Sequence, residues 1–158
     1  MKVAPQVNTN QQFNITPYKA QFKEQLISVW EKSVRATHDF LVPSDIDYFK
    51  TVVNQIDFNA FQVFCLTRGD LMPGFIGVAE RKIEMLFLAP EYIGQGFGKV
   101  LVEFAIAKLN ADKVDVNEQN HSAVNFYLRL GFVVYDRMEK DSEGKDYPIL
   151  QMRLRNFT

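Results

Sequence analysis

The chain has 158 residues, enough for one domain that buries a core without disulfides or a structural metal, and too few for a second full domain. Hydrophobic residues make up 47% and charged residues 23%, which excludes a disordered chain, and no apolar run reaches the roughly 18 residues of a membrane-spanning helix. Eighteen basic against nineteen acidic residues leave a net charge of -1, so no global field draws the chain to nucleic acid or anionic lipid.

Residues 1–12, with Pro5, Asn8, Asn10, Gln11 and Gln12, read as a mobile polar arm, and residues 13–158 as a single domain. The arm lacks the apolar core of a signal peptide, so the expected location is cytoplasmic. Residues 13–18 predict a first strand. Over 22–34, Phe22, Leu26, Ile27, Trp30 and Val34 recur at helical spacing. A second helix is expected over 44–53, capped by Ser44 after Pro43, with Ile46, Phe49, Val52 and Val53 as its stripe. Three strands follow at 61–67, 75–80 and 82–88, with Arg68-Gly69-Asp70 and Met72-Pro73-Gly74 as turns between the first two. Cys65 lies in the apolar run Val63-Phe64-Cys65-Leu66 and reads as a reduced core thiol.

After Ala89-Pro90 come Gly94, Gly96 and Gly98, and then a helical stripe of Phe97, Val100, Leu101, Phe104 and Ala107. A short strand at 113–116 leads to a helix over 122–130 that Gly131 closes in a left-handed conformation. Strands at 132–135 and 149–154 flank a polar hairpin tip over 141–146. The order β-α-α-β-β-β-α-β-α-β-β implies an α/β domain built on a mixed sheet with helices on both faces.

The glycine turn carries the clearest chemical signal. Placed between a strand and a helix, it lets the backbone bend tightly, and the first helical N–H groups, from about Gly96 to Lys99, lack internal partners and point outward with the positive end of the dipole. That is a pyrophosphate cradle, to which Lys99 adds a screened charge. Two nucleotide motifs are excluded by spacing. A Rossmann turn requires glycine where Lys99 stands, and a Walker A loop requires glycine at Ile93 and Ser or Thr at Val100. A merely flexible turn is the plain alternative.

Two stretches resemble a known family. Glu84 to Leu101, with Leu88-Ala89-Pro90-Glu91-Tyr92-Ile93-Gly94-Gln95-Gly96-Phe97-Gly98-Lys99 at its centre, resembles the acetyl-CoA motif of GNAT N-acetyltransferases. Asn120 to Phe132, with its Asn, Ala, Phe-Tyr and Gly-Phe pattern, resembles their second motif. Trp30, Ser33, Thr37-His38-Asp39-Phe40-Leu41 and Asp146-Tyr147-Pro148-Ile149-Leu150 are similar to a small bacterial single-domain branch. One departure is Ile93, where the family usually has Gln or Arg; a grip made by backbone N–H groups survives that change.

The resemblance implies the GNAT acyl-CoA N-acyltransferase fold and an enzyme that moves the acetyl group of acetyl-CoA directly to an amine, with no metal. It implies that Leu86, Phe87 and Leu88 use backbone groups on a splayed strand to line up the acetyl carbonyl and the pantetheine arm. Gly94, Gln95, Gly96, Phe97, Gly98 and Lys99 would hold the pyrophosphate. Asn120 caps its helix and, by resemblance, contacts the cofactor arm. Tyr127 would protonate the departing thiolate, against the alternative of a tyrosine that only packs.

An amine must lose a proton before or as it attacks, and Glu84 is the candidate base, through water. Alternation places it on one face with Leu86 and Leu88, with Glu80 and Glu118 in reserve and a merely solvated acid as the alternative. Trp30, Thr37, His38 and Phe40 fall where the family shapes its acceptor pocket, although each also suits core or capping duty. His121 sits at a helix start. A catalytically silent acyl-CoA-binding sensor is the rival reading, and a nucleotide on the glycine turn a second. Exposed sheet edges leave a homodimer open, and neither nucleic acid nor membrane is an expected partner.

Overall fold

A computed structural model describes residues 13–155, so the arm expected over 1–12 lies outside the described residues. The elements follow the expected order. Strand β1 (Asn14–Pro17) leads through a 3-10 turn at Ala20–Phe22 into α1 (Lys23–Thr37) and α2 (Pro43–Asn54). Strands β2 (Gln62–Arg68), β3 (Leu71–Ala79) and β4 (Lys82–Leu88) come next, then α3 (Phe97–Leu109), β5 (Lys113–Asn117), α4 (His121–Arg129), β6 (Phe132–Met138) and β7 (Ile149–Leu154). The seven strands form one mixed sheet in the order β1-β2-β3-β4-β5-β7-β6. Every neighbouring pair is antiparallel except β4 and β5.

Side chains alternate across the sheet, so each face has its own core. On one face α1 and α2 set Leu26, Trp30, Val34, Ile46 and Val53 against Val63, Cys65, Phe75 and Met85. On the other, α3 and α4 bury Leu101, Val102, Ala105 and Tyr127 against Ile76, Val78, Ile83, Val114, Val116 and Met152. Each large apolar side chain fully withdrawn from water contributes about 1.5–3 kcal/mol.

Three local expectations are corrected. First, α2 begins one residue before Ser44. Pro43 takes the first helical position, where its missing N–H costs nothing, and the Val42 carbonyl accepts from Asp45 and Ile46; no side chain caps this end. Second, Met72-Pro73-Gly74 is strand, not turn. Between the pairs Leu66↔Gly74 and Arg68↔Leu71, β3 carries one residue more than β2, and this irregularity lets the ladder pass a residue that has no N–H. Gly74 lies where β3 and β4 press together, since a Cβ there would stand 2.4 Å from Leu88 Cδ2. Third, Glu80 leaves the strand. With Arg81 it forms the two-residue link from β3 to β4, both at positive φ (50° and 67°), as a tight hairpin demands.

Candidate active site

The parallel ladder between β4 and β5 holds only at Lys82↔Lys113 and Ile83↔Val114; beyond that the two strands part. Ala89 donates its N–H to the Pro73 carbonyl at 2.8 Å. Because donors alternate sides along an antiparallel strand, Phe87, opposite Phe75, turns its amide toward β3 as well. Leu86 and Leu88 therefore aim theirs at the edge that β5 has left. Of the three residues expected to offer backbone groups, Leu86 and Leu88 turn their amides to the opening, whereas Phe87 turns its amide to β3.

At the far end of the opening, the 3-10 turn Pro90–Tyr92 leads into the glycine turn. Gly94 and Gly96 adopt φ of 83° and 90°, and a Cβ built on either meets nothing within 4 Å, so glycine is there for conformation rather than room. The first bond inside α3 runs from the Val100 N–H to the Gly96 carbonyl at 3.1 Å. No side chain caps this terminus, which leaves the amides of Phe97, Gly98 and Lys99 directed outward from it. Phe97 anchors the turn. Its ring is fully buried and meets Phe13 edge-on at 5.0 Å and Tyr92 at 5.9 Å.

Gly98 has a different task from the other two glycines: a Cβ there would approach Phe126 Cζ to 3.2 Å, so its bareness lets α3 and α4 pack closely. Gln95 spends its side chain locally, donating to the Glu91 carbonyl at 2.8 Å. Ile93 and Lys99 are exposed. An acyl-CoA fits such a site on its own chemistry, because uncapped amides and open space over two glycines suit a diphosphate.

Asn120 caps α4, its side-chain oxygen accepting from the Ala123 N–H at 3.2 Å. Seven residues on, Tyr127 is 5% exposed, its ring edge-on to Phe126 (5.0 Å) and Phe132 (5.4 Å). Its hydroxyl makes no hydrogen bond to the described residues. Among them the only fully buried, unpaired side-chain polar atoms are Asp112 Oδ1 and Asp115 Oδ1, so the Tyr127 oxygen, though deeply set, is not wholly enclosed. Burial raises its pKa well above the ordinary phenol range.

Glu84 departs from expectation. Between Gly77↔Met85 and Val78↔Ile83 it is the extra residue of a bulge in β4, which breaks the alternation that had placed it with Leu86 and Leu88. Lys82 Nζ sits 3.6 Å from Glu84 Oε2 and 3.0 Å from Asp115 Oδ2. Asp115 lies between Val114 and Val116, which face the α3–α4 core, so this polar group lies on the α1–α2 face with Met85 and Phe87. Partial burial raises the Glu84 pKa, Lys82 opposes the shift and Asp115 adds to it; the side chain stays 41% exposed. A polar cleft lined by Glu84 with Ala79, Glu80, Lys82, Lys113 and Tyr135 opens beside it. Of the reserves, Glu80 stands in the β3–β4 hairpin and lines the same cleft, and Glu118 is held by Arg137 through contacts of 2.6 and 3.1 Å.

On the same face an aromatic wall runs from α1 toward the β6–β7 hairpin. Trp30 is buried and meets Phe87 at 6.5 Å, so it backs the wall rather than lining the opening. The His38 ring lies 6.5 Å from that of Phe87 and 5.3 Å from Phe40, and Phe40 meets Tyr147 at 6.0 Å. Thr37 Oγ1 donates to the Ser33 carbonyl and lies 2.8 Å from His38 Nδ1. Burial lowers the His38 pKa to about 4, against a smaller upward pull from Asp39.

Local sequence patterns assign Tyr147 and Asp45 no role. The Tyr147 hydroxyl donates to Asp45 Oδ2 (2.5 Å) and accepts from the Val42 N–H (3.4 Å), and Lys145 pairs with Asp45 (2.9 Å), so the hairpin clasps the α1–α2 turn. Only the likeness of the Asp146–Leu150 segment to one family branch marks this region in the sequence. No helix among the described residues is long and apolar enough to cross a membrane, and among them no group of three or more His, Cys, Asp and Glu could hold a metal ion.

A family model described as an acetyltransferase (GNAT) domain matches residues 20–155. Peptidyl-lysine N-acetyltransferase YjaB of Salmonella typhimurium is 37% identical over 139 residues, covering 88% of this chain and 96% of that protein. Its Escherichia coli counterpart of the same name is 36% identical, covering 82% and 88%. The solution structure of apo-form YjaB from Escherichia coli matches with a TM-score of 0.81 at 33% identity, over 89% of this chain and 96% of that one. PaiA N-acetyltransferase from Thermoplasma acidophilum, crystallised in complex with coenzyme A, matches in fold with a TM-score of 0.72 at 19% identity, over 92% and 100%.

Proposed function

The chain belongs to the GNAT acetyltransferase family and is an acetyl-CoA-dependent N-acetyltransferase, and on that premise we propose that it acetylates lysine ε-amines of peptides or proteins, by direct transfer in the opening between β4 and β5. The relatives named peptidyl-lysine N-acetyltransferases, alike over most of their length, are the observation that carries the choice of acceptor. The aromatic wall of His38, Phe40 and Phe87 supports it, because a lysine presents four methylenes to such a surface before its amine.

Acetyl-CoA supplies an activated thioester carbonyl, and the chain's own groups do the rest. The amides of Phe97, Gly98 and Lys99, with the open turn at Gly94, Gln95 and Gly96, hold the diphosphate. Leu86 and Leu88 turn their amides to the pantetheine arm and the thioester oxygen, where a donor stabilises developing negative charge. Asn120 keeps its side-chain nitrogen available to the same arm. The ε-ammonium first gives one proton through water to Glu84, which passes it to solvent; as the free amine forms its bond to the carbonyl carbon and the C–S bond breaks, the second N–H proton follows the same route and Tyr127 gives its proton to the sulfur. Tyr127 regains a proton from solvent.

Direct transfer is supported by Cys65, which lies fully buried among apolar side chains with its pKa pushed up to about 12, so it offers no thiolate for an acyl-enzyme. Incubating the protein with acetyl-CoA and a lysine-containing peptide blocked at its N-terminus, and locating the product by mass spectrometry, tests the acceptor. Acetyl groups on the ε-nitrogen are expected, with Tyr127→Phe lowering kcat by about 100-fold and leaving the KM for acetyl-CoA nearly unchanged. Acetylation of only small free amines would refute the lysine assignment. Binding of acetyl-CoA without consumption across an amine panel would favour a sensor instead.

A further inference from the structure

Two hydrogen bonds at the end of α1 bear on the tautomer of an imidazole. Thr37 has one hydroxyl hydrogen and donates it to the Ser33 carbonyl at 2.8 Å. The same oxygen lies 2.8 Å from His38 Nδ1, and with its hydrogen already committed it can only accept. With Thr37 donating to Ser33, the matching arrangement has the His38 hydrogen on Nδ1. In a neutral ring this leaves Nε2 as a bare lone pair, and burial keeps the ring neutral by lowering its pKa to about 4. Nε2 has no partner among the described residues and is absent from their fully buried unpaired atoms, so it is not wholly enclosed. The ring stands beside Phe87, whose chain neighbours Leu86 and Leu88 present the amides of the β4 edge.

We propose that His38 is a further catalytic residue, locked by Thr37 as the Nδ1–H tautomer so that Nε2 accepts a hydrogen bond from the attacking acceptor nitrogen and turns its lone pair to the thioester carbon. This rests on the reading that transfer takes place in the β4–β5 opening. The division of labour follows from acidity. Nε2 is a good acceptor but a poor resting place for a proton, whereas Glu84, with its raised pKa, takes the proton through water. His38 orients the nitrogen and Glu84 drains it. Ser33, Thr37 and His38 thus form a relay that starts at a backbone carbonyl and ends at the nucleophile, and Thr37 acts through His38 as a positioning residue.

The tautomer is read without any substrate. Long-range 1H–15N correlation of the two histidines at pH 7, with His121→Gln to separate the signals, is expected to show His38 protonated on Nδ1 alone. An Nε2–H tautomer or an imidazolium overturns the proposal. Thr37→Val should shift His38 toward Nε2–H and lower kcat/KM for the blocked lysine peptide, while Thr37→Ser should retain both properties.

His38→Leu should lower kcat/KM for that peptide by about 10-fold, the range of one lost hydrogen bond, with the CoA-induced rise in melting temperature unchanged. His38→Gln, whose amide reaches the Nε2 position, should recover part of the loss. Turnover by His38→Leu at the wild-type rate, with chemistry rate-limiting, overturns the proposal even if the tautomer is as expected. If the wild-type protein leaves the peptide unacetylated, the lysine reading fails by itself, and the tautomer and the response to Thr37→Val still decide whether the relay exists.

Discussion

His38 and Tyr127 are both held neutral by burial, which pushes the imidazole pKa down and the phenol pKa up. For Tyr127 this means that no alkaline limb from its ionisation should enter the activity within the working range. For His38 it makes a prediction about stability. Above pH 6.5 both folded and unfolded chains carry a neutral ring, and the contribution is complete. As pH falls through 6.5 the unfolded chain takes up a proton that the folded one refuses until about 4, so stability declines across that window. By pH 5 the loss from this one group should reach about 2 kcal/mol, because each pH unit travelled below 6.5 removes about 1.36 kcal/mol. Urea unfolding at pH 7 and pH 5 should show His38→Gln losing less than the wild type, and equal losses would mean that the ring is protonated when folded. At this scale the sequence was informative for the inward packing of the Tyr127 ring and for the Asn120 cap, because helical spacing and capping are local. It was misleading for Glu84, whose orientation depends on a bulge fixed by pairing with β3 and invisible to alternation along its own strand.

The glycine turn and β4 each make their point through main-chain donors, and such donors can be removed singly. Lys99→Ala deletes a charge and keeps the N–H. Lys99→Pro deletes both at the third helical position, in a first turn that tolerates proline, and after Gly98, which tolerates a following proline better than other residues do. If the cradle is backbone, Lys99→Ala should weaken CoA binding only slightly. Lys99→Pro should weaken it by about 10–100-fold, the equivalent of one hydrogen bond to a charged group. Equal effects in a calorimetric titration would assign the grip to the side chain. The parting of β4 from β5 makes a companion prediction. In hydrogen exchange the Phe87 amide, turned to β3, should be protected from the start, whereas Leu86 and Leu88 should exchange fast and slow down when CoA is added. The alternate glycines and the helical stripe after them were readable as one unit. The different task of Gly98 was not, since it depends on Phe126 in another helix.

Across the whole molecule, the sheet is weakest where the ligand is expected to lie, with two residue pairs joining β4 to β5 against five joining β5 to β7. The element order was legible from periodicity and punctuation alone. The clasp between the hairpin and the α1–α2 turn was not, because Tyr147 and Asp45 stand 102 residues apart and neither has a local pattern that points to the other. In the proposed arrangement that clasp borders the acceptor side, whereas the glycine turn and the β4 edge border the CoA side, so the two should be separable. CoA at 100 times its Kd should stabilise the fold by about 2.7 kcal/mol, a rise of roughly 5–10 °C in Tm for a domain of this size. Tyr147→Phe removes the hydroxyl that reaches Asp45 and Val42 and leaves its ring against Phe40. The variant should keep the full CoA-induced rise while its KM for the lysine peptide increases several-fold. A smaller CoA response with an unchanged peptide KM would place the clasp on the cofactor side, and the hairpin would then have no part in shaping the acceptor site.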